Sequence, residues 1–388
     1  MDKIKIPVAI GIIVDDVGWH NGEDQRMQGL PARSGLPRIH HPDDVRALNA
    51  IGKGLNTKII CSLVLGDWDR NNTLRGIPHI TPDESSWDAA GEMDPEYTKA
   101  YFNALEESEY LDYSLHGLFH SYYENGKLNT ARQYYPNTYN EQGEIDGYRW
   151  LPTEEFRRMI DLFYGIYNDW GFKKKIDVFV SPCGCWGTPD SEGNKRYAEV
   201  LREYGIKYWC NSWREYEETL GTVNGIMASK GDDICPWNAY DVDPRYLENH
   251  FDDPDSALAY ICGHLTNFIR YNPEKNFEYV DAWIAYFKKH TDHFGTMMAR
   301  DIPFAASQYF YSKLSRIEKQ GTTYIIDLSQ LSKIDAKGLS DKLYLSFKKE
   351  TEPTECLGGS LRLYEEKADH NIYEITRNGD PVLKIQVK

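Results

Sequence analysis

Seven apolar runs of strand length, Pro7–Val14, Lys58–Leu65, Tyr110–Leu115, Ile176–Val180, Ile206–Cys210, Ala257–Cys262 and Ile302–Ala306, recur through the first four-fifths of the chain and leave it few folds. Between them lie Pro42–Ile51, Pro95–Leu105, Thr153–Trp170, Asn194–Tyr204 and Phe277–His290, with apolar residues three and four apart and Asp, Thr or Pro as caps. Strand alternating with helix is the pattern of an α/β fold. Seven such units in a stretch of this length fit a barrel better than a short open sheet, which periodicity alone leaves possible.

From Gly321 the pattern changes. TTYIIDLS, DKLYLSFKK, GSLRLYEE, HNIYEITR and PVLKIQVK alternate apolar and polar residues between Gly, Pro, Asn and Asp turns. This predicts a barrel over 1–320 followed by a small all-β sandwich over 321–388, with Asn378-Gly379 as a hairpin turn. A chain of 388 residues is long enough for one large domain and one small one.

The formal charge, 44 − 60 = −16, argues against a nucleic-acid partner, which requires clustered Lys and Arg. No run approaches the roughly 18 apolar residues of a membrane span. The opening MDKIKIPVAIGIIVDD ends in two Asp without a small-residue cleavage site and reads as a first strand, so a cytoplasmic location is expected. A signal removed beforehand would make the location secreted or periplasmic. Seven scattered Cys fit free thiols. The 28 Tyr and 10 Trp suit either a core or a carbohydrate platform, because such rings join a flat apolar face to a polar edge. The oligomeric state is not determined by any of these features.

In α/β folds the functional site lies at the carboxyl ends of the strands. The polar residues there are Asp15 and Asp16, Asp67, His116 and His120, Ser181-Pro182-Cys183-Gly184, Asn211 and His264. A four-residue spacing puts both imidazoles of SLHGLFHS on one face of a helical turn, where they chelate a metal or form an incidental surface pair. Of the Asp pairs, Asp43-Asp44, Asp232-Asp233 and Asp252-Asp253 included, only the first terminates an apolar strand. Two carboxylates there need a compensating positive charge or serve as a cap on the next loop. One Asp and two His leave a coordination position for water, the pattern of a catalytic zinc site, with the second Asp available as base. Asp67 and Asp69 either touch substrate or cap. Trp19, Trp68, Trp186 and Trp237 follow strand ends, where they stack on a sugar or pack beneath loops.

VDDVG at 14–18 and HGLFH at 116–120 resemble the first two motifs of the polysaccharide deacetylases, the NodB homology domain. The resemblance implies a distorted (β/α) barrel that hydrolyses an acetyl group from a carbohydrate with a divalent metal, most often zinc, with cobalt, nickel or manganese as alternatives. It implies Asp15 as general base and Asp16, His116 and His120 as metal ligands. FVSPCG resembles the groove-lining third motif, with Pro182 and Cys183 beside substrate, and YICGH resembles the late motif that makes His264 the general acid. Asp67, Trp186 and Asn211 complete the expected substrate contacts. Departures from the family pattern are Val17-Gly18 for Gly-Pro, Gly117 for Ser or Thr, Val180 for an Arg that orients the base, and Asn211-Ser212-Trp213 for the fourth motif. They leave room for two other readings, a sugar-binding barrel without catalysis and a hydrolase of a different C–N bond on the same fold.

Overall fold

The computed structural model describes residues 3–82, 84–210, 220–247 and 257–388. The architecture is mixed α/β, built on a curled and largely parallel sheet. Its central strand, Val8–Val17, is buried almost throughout, and its sequence VAIGIIV is apolar on both faces as a strand covered on both sides requires. On one side Ile59–Val64 pairs with it in parallel, followed outward by Leu111–Gly117, Val178–Phe179 and Tyr208–Cys210. On the other side lie Tyr260–His264 and Thr296–Met298.

The segment 226–233 is used twice. Ile226–Ser229 pairs with Tyr208–Cys210, and one residue further on Gly231–Asp233 pairs with Tyr260–Cys262. The ladder therefore curls round until its two ends meet in one stretch of chain. Parallel neighbours need crossover connections, and the helices Pro42–Leu55, Pro95–Glu107, Thr153–Trp170 and Glu192–Glu203 supply them. Pro42–Leu55 starts at a reciprocal cap, His41 with Asp44, and stops at Asn56 in the left-handed conformation. No described helix is long and apolar enough to cross a membrane, and none of the seven cysteines is in a disulfide.

Two expectations are corrected. Ile302–Ala306, read as a last strand, opens the helix Ile302–Leu314, which Asp301 caps by accepting from Phe304 N–H. Nine of its thirteen residues are buried, so it is apolar on nearly every side, and in so short a run that composition does not distinguish helix from strand. The strand is instead Thr296–Met298, against Val8–Ile10. Second, Asn378-Gly379 makes a turn but no hairpin. It joins His370–Arg377 to Val382–Val387, which pair in different sheets.

The C-terminal region forms two antiparallel four-stranded sheets. One runs Ile4–Lys5, Lys342–Lys348, His370–Arg377, Gly359–Glu366, and the other Arg316–Gln320, Thr323–Asp327, Val382–Val387, Pro353–Leu357. The first sheet thus borrows a strand from the N-terminus, Ile4 opposite Phe347. Arg316–Gln320, on the N-terminal side of the expected division at 320, pairs with Thr323–Asp327.

Gln308 ties this region to the curled sheet. Its fully buried amide donates to Pro7 O (2.9 Å) and Tyr344 O (2.8 Å), and its carbonyl accepts from Tyr344 N–H (3.0 Å). Gln308→Leu keeps the volume and strands these three backbone groups without partners. Chemical denaturation is expected to show a loss of about 2–4 kcal/mol, and a loss below about 0.5 kcal/mol would show that the tether carries no stability.

Candidate metal centre

Successive side chains of a regular strand point to opposite faces, so two adjacent Asp at a strand end cannot both face one site unless the strand is broken. The break is present. The register against Ile59–Val64 slips between Val14 and Val17, a bulge, and Asp16 sits within it at φ 62°. Both Asp15 and Asp16 consequently line one cavity of about 440 Å³. Gly18 follows at φ 119°, where a Cβ would stand 2.5 Å from Val64 O, so glycine alone fits behind the bulge.

His116 lies in the Leu111–Gly117 strand and His120 three residues beyond its end at φ 53°, so the pair is not on a helix. The chain leaves the sheet through Gly117 at φ 155°, and the imidazole rings come to 5.2 Å apart. His116 Nδ1 stands 2.7 Å from Val180 O. A carbonyl only accepts, so Nδ1 carries the proton and Nε2 presents its lone pair. That Nε2 is 3.6 Å from Asp16 Oδ1, and His120 Nε2 is 3.8 Å from it. The residue at 180 acts here through its backbone, which valine supplies as well as any other residue.

Asp16, His116 and His120 are all buried, with ligand atoms within 4.8 Å of one another. Donors around a tetrahedral ion at about 2.0–2.2 Å stand about 3.3–3.6 Å apart, close to what is found. Asp16 Oδ1 and His116 Nε2 have no hydrogen-bond partner among the described residues although both are shut off from solvent. Buried polar atoms are normally satisfied, and a cation between them would satisfy both. The group could therefore hold a metal ion. Burial by itself would raise the Asp16 carboxyl, but the facing His120, His116 and His264 imidazoles hold it well below the usual carboxylate range. Burial pushes His120 down to about 4, leaving it neutral at pH 7 as a ligand must be. For His116 burial is outweighed by the negative charges of Asp15 and Asp16, which raise it.

His264 ends the Tyr260–His264 strand in register with Asp15 and lines the same cavity. Cys183 also lines it, at φ 56° and followed by Gly184 at φ 84° in a sharp turn. Pro182 is buried in that turn. Asp67 stands elsewhere, its two oxygens engaged by the Arg33 guanidinium and one of them by His20 N–H. Trp186 stacks on Tyr148 at 4.2 Å with the Arg132 guanidinium 4.8 Å from its ring, and Trp19 and Trp68 are fully buried. Asn211, Ser212 and Trp213 lie outside the described residues.

Trp237, one of the tryptophans noted after strand ends, lines the cavity, and sequence reasoning missed Asp233, Arg26 and Arg33, which line it too. Asp233 closes the three-residue strand Gly231–Asp233, beside the strand that carries His264. Surrounding protein raises its carboxyl, partly offset by His264. The signal was the apolar Ile226–Ala228 just upstream, a run too short to stand out. Arg26 is gripped by Asp24 and lies 4.8 Å over the Trp237 ring, so two distant loops meet at the cavity.

No protein-family model matches the chain, and no curated protein matches it in sequence. Among solved structures it is similar to the crystal structure of 4-alpha-glucanotransferase from Thermococcus litoralis, with a TM-score of 0.36 and 12% identity over 76% of this chain. The match spans 39% of that protein, a likeness too slight to carry fold or activity across.

Wild-type protein incubated with zinc is expected to retain about one equivalent of metal by elemental analysis. The His116→Ala, His120→Ala double variant should bind it more than about 100-fold more weakly, since loss of an outer-shell partner alone costs 10–100-fold. Equal metal content in both proteins would place the ion elsewhere.

Proposed function

We propose that the protein is a metal-dependent hydrolase that removes an acetyl group from an acetylated carbohydrate. The observation that carries the reading is the arrangement of Asp15 and His264, adjacent in register and lining one cavity beside the Asp16, His116, His120 group. A divalent metal held there, zinc first by its donor set, supplies Lewis acidity and a water of lowered pKa.

Asp15, with one buried oxygen that takes no partner among the described residues, accepts a proton from the attacking water. Its neighbour Asp16 faces the two imidazoles and, as a ligand to the metal, would not compete for this role. His264, in its protonated form, gives a proton to the departing nitrogen or oxygen of the sugar. Asp233 stands close enough to His264 for the two side chains to interact electrostatically. The turn at Cys183 and Gly184 lines the cavity, where it would border a bound acetyl group.

Acetate release from a panel of N- and O-acetylated saccharides, with zinc, cobalt, nickel or manganese added, tests the reading. Asp15→Asn should lower kcat by about 100- to 10,000-fold while metal content is kept. If metal is bound and no member of the panel yields acetate, the acetyl hydrolase reading fails, and mass analysis of products then shows whether another C–N bond is opened.

A further inference from the structure

A second cavity, of about 320 Å³, adjoins the first, and Arg33 belongs to the walls of both. The partition is well held. Arg33 lies 4.9 Å over the Trp19 ring and grips the Asp67 carboxylate with both terminal nitrogens. Trp87, Met93 and Tyr97 give its lining apolar and aromatic surface. Trp87 is set edge-on against Phe119 at 4.9 Å, and its indole N–H finds no acceptor among the described residues.

The charges in this cavity do not balance. Asp67, Glu92 and Asp94 face one guanidinium, a formal 1 − 3 = −2. Asp67 is matched by Arg33, and Asp94 caps the helix Pro95–Glu107 by accepting from Glu96 and Tyr97 N–H. Glu92, exposed at the rim, has no cation partner among the described residues. His20 adds no charge at pH 7, because burial holds it below its ordinary range. An anionic group placed here would meet repulsion on several sides, whereas an ammonium would be attracted.

We propose that this cavity is a second sugar subsite, taking the ring next to the one that loses its acetyl group, and that it admits neutral or amine-bearing rings and rejects anionic ones. The proposal rests on the carbohydrate reading above. A sugar ring offers an apolar face to Trp87 and Tyr97 and hydroxyls to the carboxylates. The free amine that deacetylation leaves on a ring is the group Glu92 would favour, so a ring already processed fits the subsite while its neighbour reacts.

Titration calorimetry on the full chain tests this with a β-1,4-linked glucosamine trisaccharide and a β-1,4-linked glucose trisaccharide. Neither carries an acetyl group, so neither is consumed. Wild type is expected to bind the glucosamine trisaccharide about tenfold more tightly, and Glu92→Gln to cut that preference by about three- to tenfold, the range of one partly exposed charge pair. Trp87→Ala should weaken both trisaccharides at least fivefold, with Trp87→Phe retaining the stacking surface and most of the affinity. An unchanged preference in Glu92→Gln, or wild-type affinities in Trp87→Ala, would overturn the subsite. Acetate release with no trisaccharide preference refutes the subsite alone, and an intact preference without acetate release refutes the catalytic reading alone.

Discussion

The buried ladder along Val8–Val17 is the constraint on which the site depends. Three strands lean on it in parallel: Ile59–Val64 on one side, Tyr260–His264 and Thr296–Met298 on the other. Ile10, Ile12, Ile13 and Val14 are fully buried, each contributing about 1.5–3 kcal/mol by leaving water. A strand pinned this firmly tolerates a local irregularity at its end. A non-glycine residue at positive φ costs on the order of 1–3 kcal/mol and persists only where its surroundings over-determine it. Asp16 sits at such a position, and the bulge there turns two adjacent carboxylates toward one cavity.

Electrostatics then narrows what the cavity can hold. Its two arginines are already committed, Arg26 to Asp24 and Arg33 to Asp67. Asp15, Asp16 and Asp233 therefore share a region where the remaining partners are imidazoles, and His120 is held neutral by burial. Desolvated carboxylates without compensation are costly. The protein gathers lone pairs and negative charge around a small volume, and a divalent cation answers both.

The strands of the curled sheet were legible because strands buried on both faces read as continuous apolar runs, as in Lys58–Leu65 and Tyr110–Leu115. The same rule misled at Ile302–Ala306, since a helix surrounded by protein is apolar on all sides too. Asp233 escaped notice because its strand, Gly231–Asp233, is short and polar. Spacing alone placed His116 and His120 on a helical face, but a strand followed by a left-handed turn brings the rings together equally well.

By itself the sequence determined the longer strands of the curled sheet, the crossover helices and most of the polar residues at those strand ends, because periodicity and capping are local properties. It also singled out Asp15, Asp16, His116, His120 and His264 as a group. Only the tertiary structure decided that Asp16, His116 and His120 converge within bonding range of one ion, that Asp67 is taken up by Arg33, and that Trp186 packs against Tyr148. The physical reason is that convergence depends on the curl of the sheet, the bulge at Asp16 and the meeting of loops hundreds of residues apart. Those are pairings of distant segments, and no local pattern encodes them.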